Sequence, residues 1–202
     1  VTGVQTCALP ISQVRQQEAE KGSPGEEKHL LLELRFIAEI GLIGLPNAGK
    51  SSLLASLTNA RPAIGAYPFT TLEPNLGMLE THAIADIPGL IKGASEGKGL
   101  GVDFLRHIEK TKILIHCIDA STTAPKTTYD TIRNEFKKFN DTLLTKPEYI
   151  LLTKTDLVSK ETVQKLISLF EKKGHVVFTH STADSVSTDL LKKTLLELLN
   201  ST

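Results

Sequence analysis

Gly44-Leu45-Pro46-Asn47-Ala48-Gly49-Lys50-Ser51 places two glycines, a lysine and a hydroxyl at the spacing G-x4-G-K-[S/T], directly after the apolar run Ile37–Ile43. That pattern has a phosphate chemistry. Successive backbone N–H groups curl around a β-phosphate while the dipole of the following helix adds positive potential. Lys50 then reaches the β- and γ-phosphates, and the Ser51 hydroxyl is a Mg²⁺ ligand. A glycine turn with an accidental lysine explains neither the strand before it nor the helix pattern Ser52-Leu53-Leu54-Ala55-Ser56-Leu57 after it.

Four further segments extend this reading. Asp86-Ile87-Pro88-Gly89 closes a strand, where Asp86 can hold Mg²⁺ through water and the Gly89 N–H can meet the γ-phosphate. Phe69-Thr70-Thr71-Leu72-Glu73 lies in an irregular stretch punctuated by Pro62, Gly65, Pro68 and Pro74, and Thr71 there can close on Mg²⁺ when a γ-phosphate is present. Thr153-Lys154-Thr155-Asp156 follows an apolar strand, and the Asp156 carboxylate can accept from N1–H and the exocyclic amine of guanine. Adenine offers neither donor, so an unpaired buried carboxylate would cost several kcal/mol and favour GTP over ATP. Ser181-Thr182-Ala183, after the last strand, would supply a backbone N–H to the guanine O6.

The elements needed to position these residues are legible as alternating patterns. Short apolar or β-branched runs at Ile37–Ile43, Asn75–Glu80, His82–Asp86, Ile113–Asp119, Tyr149–Thr153 and His175–Phe178 predict six strands, the second and third forming an antiparallel pair. Glu161–Lys173 carries Val163, Leu166, Ile167 and Phe170 at helical spacing, with Ser159 as N-cap and Gly174 just past its end. Leu190, Leu191, Leu195 and Leu198 mark a last helix, and Val102–Lys110 another that holds Arg106 and His107 as structural residues. The expectation is an α/β fold: a Ras-like P-loop NTPase with a mostly parallel six-stranded sheet, helices on both faces and the ligand at the C-terminal strand ends.

A chain of 202 residues suits one well-buried domain with an appendage. Lys+Arg 23 against Asp+Glu 23 leaves a formal net charge of zero, so no global field draws the chain to nucleic acid or anionic lipid. No apolar run approaches the roughly 18 residues of a membrane span, and the expected setting is cytoplasmic. Of the two cysteines, Cys117 lies within an apolar strand and is expected to be an inert core residue. Residues 1–11, Cys7 among them, resemble the translation of a sequencing-adapter oligonucleotide and are expected to be non-native. Residues 12–36 read as a linker with an extended lead-in at 31–36, and 37–202 as the nucleotide-binding domain.

GLPNAGKSS, YPFTTLEPNLGMLE, ADIPGLIKGASEGKGLGVDFLRHIEKT and TKTD together resemble the GTPase domain of the Obg family over residues 22–202. The resemblance implies a Ras-like domain, slow Mg²⁺-dependent hydrolysis of GTP with Lys50, Thr71 and Gly89 at the reacting phosphate, and a role in assembly of the large ribosomal subunit. It also implies that Gly22–Glu27 is the tail of a glycine-rich N-terminal domain. The chain is expected to be a monomer. Two positions depart from common GTPase patterns. Thr153 stands in place of the usual asparagine, and a hydroxyl lacks an amide's paired donor and acceptor. Leu90 stands where Ras-type enzymes carry a water-orienting glutamine. Asn47 occupies a position suited to holding K⁺, which would supply the missing positive charge. Leu90 also keeps open a second reading, a ribosome-binding switch with negligible turnover of its own; an ATP-using kinase is disfavoured by Asp156. The glycines at 93, 97, 99 and 101 favour backbone mobility in a nucleotide-sensitive switch.

Overall fold

In a computed structural model of the chain, the described residues are 38–58, 63–64, 75–87, 105 and 108–200, together with Gly25. The chain divides into Val1–Glu33 and Leu34–Thr202, and every element below belongs to the second unit. The linker and lead-in expected before residue 38 lie outside the described residues.

The elements run β1 (Ile40–Ile43), α1 (Lys50–Leu57), β2 (Ala63–Ile64), β3 (Asn75–Leu79), β4 (His82–Asp86), β5 (Ile113–Asp119), α2 (Pro125–Phe139), β6 (Glu148–Thr153), α3 (Lys160–Glu171), β7 (Val177–Thr179) and α4 (Ser185–Asn200). Short 3-10 turns occupy Asp141–Thr145 and Thr155–Leu157. All six expected strands are present, and the two-residue β2 adds a seventh at the edge beside β3. The order is β2-β3-β4-β1-β5-β6-β7, antiparallel at β2/β3 and β3/β4 and parallel elsewhere.

The first strand begins at Ile40 rather than Ile37, although Glu39 already joins the ladder: its N–H donates to the Ala83 carbonyl at 2.9 Å. The last strand is Val177–Thr179, shifted from the expected His175–Phe178, because Gly174 (φ 86) terminates α3 and the His175 N–H turns back to the Phe170 carbonyl. Ser159 caps α3 as expected, its hydroxyl accepting from the Thr162 N–H at 3.3 Å.

Period-two alternation divides the apolar residues between two faces of the sheet. On one face Ile113, Ile115 and Cys117 of β5 pack with Ile40 and Leu42 against Leu53, Leu54 and Leu57 of α1 and Leu191, Leu195 and Leu199 of α4. On the other, Leu114 and Ile43 pack with Leu105, Ile108, Ile132 and Phe136, while Ile118, Ile150 and Leu152 meet Tyr129, Leu166 and Phe170. Each fully buried leucine or isoleucine stabilises by about 1.5–3 kcal/mol relative to exposure. Close docking of α1 depends on Gly77 of β3, where a Cβ would lie 2.4 Å from Thr58 Cγ2 and 2.8 Å from Leu54 Cδ1. Cys117 is fully buried, and burial pushes its thiol up to about 12, so it is a core residue without thiolate chemistry.

One polar cluster interrupts the second face. His116 of β5 is buried, and its Nδ1 must donate to Glu148 Oε1 (2.8 Å), since a carboxylate only accepts; Arg133 Nη1 donates to Glu148 Oε2 at 2.8 Å. Tyr129 stacks on His116 with centroids 5.3 Å apart, and its hydroxyl meets His175 Nε2 at 2.7 Å. Burial alone would raise the Glu148 carboxyl, but the His116 hydrogen bond and the nearby positive charges hold it below its ordinary range.

Candidate functional site

The sheet grows outward from β1 in both directions, so the crevice at the C-terminal ends of β1 and β5 is a topological switch point, where open α/β sheets take their ligands. The loop from Gly44 to Gly49 lies there. Gly44 passes so close to β5 that a Cβ would sit 2.6 Å from the Cys117 carbonyl. Asn47 (φ 63) and Gly49 (φ 83) are left-handed, which turns the chain sharply into α1. Gly49 is the N-cap, no side chain caps the helix, and its first turn has no acidic residue. The N–H groups of that turn therefore have no competing anion of their own. Lys50 is buried, its ammonium donating to the Gly44 and Leu45 carbonyls at 3.1 and 3.2 Å, so it lies back across the loop.

Ser51 Oγ donates to Asp86 Oδ2 at 2.5 Å. Asp86 is held at the end of β4 by its register with Leu42 of β1, and its Oδ1 is buried without a hydrogen-bond partner. A buried carboxylate oxygen lacking a donor, beside a hydroxyl, is a hard-oxygen set of the type Mg²⁺ takes. Among the described residues no group of three or more His, Cys, Asp or Glu could hold a metal. The residues present fit an ion that draws its remaining ligands from phosphate oxygens and water.

The second half of the site comes from β6. Thr153 is buried, and its hydroxyl donates to the Ala48 carbonyl of the glycine loop at 2.8 Å, with the Ile118 carbonyl at 3.3 Å. One hydroxyl therefore bridges the two loops. Lys154 is left-handed (φ 54), and its ammonium bonds Asp119 Oδ2 at 2.7 Å. In the 3-10 turn that follows, Asp156 Oδ1 accepts from Ser181 Oγ at 2.6 Å. The Ser181 N–H donates to Ser187 Oγ and the Ala183 N–H to Ser181 Oγ, so of the Ser181-Thr182-Ala183 triplet only the exposed Thr182 keeps its N–H outside these bonds. Beneath it, His180 is fixed by its N–H to the Leu152 carbonyl and by Nε2 to Thr188 Oγ1, and burial lowers its imidazole.

Asn47, Gly49, Lys50, Ser51, Ser52 and Lys154 line one groove of about 540 Å³, open to solvent. The structure thus brings together the glycine loop, Asp86, the Thr153–Asp156 segment and Ser181–Ala183. Ile87 departs from them: its N–H bonds the Leu42 carbonyl and its side chain enters the core. Phe69, Thr70, Thr71, Leu72, Glu73, Pro88, Gly89 and Leu90 lie outside the described residues, as do Arg106, His107 and the glycines at 93, 97, 99 and 101. Sequence reasoning missed Asp119 and Ser187. A carboxylate at the C-terminal end of an otherwise apolar strand was the signal for the first; a serine in a helical first turn gave none for the second.

The fold and site define a Ras-like P-loop GTPase domain. Residues 39–154 match the family described as 50S ribosome-binding GTPase. The chain is 48% identical over 185 residues to the GTPase Obg of Pelagibacter ubique, covering 89% of this chain and 57% of that protein. It is 43% identical over 204 residues to the GTPase Obg of Solibacter usitatus, covering 96% of this chain and 60% of that protein. The chain belongs to this ribosome-binding GTPase family, and within it to the Obg GTPases. It spans less than two thirds of the length of those two relatives. Among solved structures it is similar to the cytosolic domain of Legionella pneumophila FeoB (26% identity, 78% of this chain and 67% of that one, TM-score 0.58). It shares its fold with Aquifex aeolicus Era (22% identity, 78% of this chain and 55% of that one, TM-score 0.59).

Proposed function

We propose that this domain binds GTP and GDP with Mg²⁺ and hydrolyses GTP slowly to GDP and phosphate, in the cytoplasm and in the service of large-ribosomal-subunit assembly. The observation that carries the reading is Asp156. One carboxylate oxygen is tied to Ser181, and the segment that carries it is bridged through Thr153 to the loop that holds phosphate. A carboxylate so fixed pairs with the N1–H and amine edge of guanine, and the Thr182 N–H is the donor left for O6. The leucine after residue 89 removes the obvious water-orienting side chain, which is why the rate is slow.

In the proposed reaction, water attacks the γ-phosphorus in line and the β-γ bridging bond breaks to leave GDP. Lys50 leaves its two carbonyls to meet β- and γ-oxygens, and the N–H groups from Asn47 to Ser51 hold the β-phosphate. Thr71 and the Gly89 N–H are proposed to position the γ-phosphate and the attacking water. Ser51, Thr71 and, through water, Asp86 would hold Mg²⁺, which would supply positive charge to neutralise what develops on the phosphate oxygens. Asn47 would hold a K⁺ ion, which would supply further positive charge to the reaction.

Single-turnover phosphate release tests the reading. Measured in K⁺ against Na⁺, with and without large ribosomal subunits and beside Lys50→Ala, it should be slow, faster in K⁺, and absent in the variant. Equal turnover in K⁺ and Na⁺ removes the role for Asn47. No release above the Lys50→Ala baseline without ribosomes favours the second reading, kept open by Leu90: a nucleotide-dependent ribosome-binding switch with negligible hydrolysis of its own.

A further inference from the structure

His180 stands at the join of the two segments that carry the base-reading residues. Its N–H donates to the Leu152 carbonyl of β6 at 2.8 Å, and its carbonyl accepts from Thr155 Oγ1 at 3.3 Å, one residue before Asp156. The residue after it, Ser181, holds Asp156 through its hydroxyl. The His180 side chain runs the other way, to α4, where Nε2 lies 3.1 Å from Thr188 Oγ1. Thr188 Oγ1 donates in turn to the Asp184 carbonyl at 3.3 Å, which can only accept, so Nε2 carries the hydrogen and the imidazole is the donor to Thr188. His180 is only 1% exposed. The charged groups that face it are Asp184, from the loop before α4, and Asp156, from the turn after β6; Leu152 of β6 and Thr188 of α4 bring none.

We infer that His180 is a positioning residue for the base site: as a neutral donor to Thr188 it pins the Ser181–Ala183 loop to α4, and its protonation opens that loop and releases the guanine nucleotide. The inference rests on the reading of the site as a guanine-nucleotide site. A neutral imidazole suits the closed loop, because an imidazolium sealed from water loses its hydration. The carboxylates of Asp184 and Asp156 favour the charged form, but burial outweighs them and holds the imidazole below its ordinary 6.5. A loop that opens returns the ring to water and to that ordinary value, so the open form binds the proton more tightly than the closed one. Guanine takes the closed form, in which Ser181 holds Asp156 beside the free N–H of Thr182. Nucleotide affinity is therefore complete above the ordinary imidazole value and is lost as pH falls through it toward the lower value of the closed loop.

Binding of fluorescent GDP across pH tests this on the full chain. The terminal phosphate of GDP itself titrates at about pH 6, so the readout is the difference between wild type and His180→Gln, whose amide reaches Thr188 as a neutral donor and takes no proton. Between about pH 7.5 and pH 5.5 the affinity falls about fivefold further in wild type than in His180→Gln, while at about pH 8 the two agree within about twofold. In Thr188→Val the imidazole loses its acceptor: at about pH 8 GDP leaves about fivefold faster and KM for GTP rises by about the same factor, while kcat stays within about twofold because no reacting atom is touched. The same fall with pH in wild type and His180→Gln, or GDP release unchanged in Thr188→Val, overturns the inference and leaves the nucleotide site intact. A wild-type chain that binds no GDP at about pH 8 overturns the functional reading itself, and this inference with it. Should His180→Gln lose its folded thermal transition, an NMR titration of the His180 imidazole in the wild-type chain decides the matter: a midpoint lower with GDP bound than without supports the inference, and an equal midpoint overturns it.

Discussion

Thr153 Oγ1 donates to the Ala48 carbonyl at 2.8 Å, joining the end of β6 to the phosphate loop across 105 positions of sequence. The bridge rests on one proton. Thr153→Val has nearly the same shape and no hydroxyl, so the Ala48 carbonyl loses its partner at a cost of about 1–3 kcal/mol. Isothermal titration with GDP should show affinity lowered about tenfold, with Thr153→Ser close to wild type. Unchanged affinity in Thr153→Val would mean that the two loops are held together by other contacts.

Asp156, fixed by Ser181 Oγ at 2.6 Å, is the carboxylate proposed to read the base. Asp156→Asn places an amide against two donors of guanine, and a site built to hydrogen-bond a ligand loses about 10⁴-fold or more against a mismatched one. GDP affinity should fall at least a hundredfold in a fluorescent-nucleotide titration, with the thermal transition of the free protein shifted by only a few degrees.

Much of this site is written locally. The glycine loop declares itself through the residue types its backbone needs, and the strands through apolar runs that the parallel sheet buries on both faces, as in Ile113–Asp119. The α3 cap and the Gly174 stop follow from Ser159 and a left-handed turn. What escaped reading was non-local. Asp119 and Lys154 are 35 positions apart, and only the strand register shows that they meet. His116 and Glu148, 32 apart, likewise meet only because β5 and β6 lie side by side. The two-residue β2 is too short to carry a period.

The buried Glu148 is held by His116 and Arg133. Glu148→Gln leaves two donors without their charged acceptor, and breaking one side of a buried pair costs about 3 kcal/mol or more. For a domain of this size that is a fall in Tm of about 6–12 °C by calorimetry at neutral pH. A fall under 2 °C would show that the cluster contributes little.

The same carboxyl sets an acid limb. Its folded pKa lies below the ordinary value of 4.5, so the unfolded chain binds its proton first as pH drops. Its stabilisation is therefore complete above the ordinary carboxylate range and is lost as pH falls through the folded pKa. The difference in denaturation free energy between wild type and Glu148→Gln should be full at pH 7 and shrink steadily below about pH 4.5. A difference independent of pH would assign the effect to packing.

Gly44→Ala tests the loop from the opposite side. The new Cβ would lie 2.6 Å from the Cys117 carbonyl, a backbone atom that cannot swing aside. The loop must move off β5, and GDP affinity should drop at least tenfold while far-UV circular dichroism stays native. Wild-type affinity would show that the loop tolerates a shifted entry.

Guanine recognition is tested by titrating the wild-type chain with fluorescent GDP and ADP in Mg²⁺ and K⁺ buffer. GDP should bind at least a hundredfold more tightly than ADP, about 2.7 kcal/mol, with Asp156 reading the base while Thr153 keeps it in register with the phosphate loop. Equal affinity for the two nucleotides, or none for either, would contradict it.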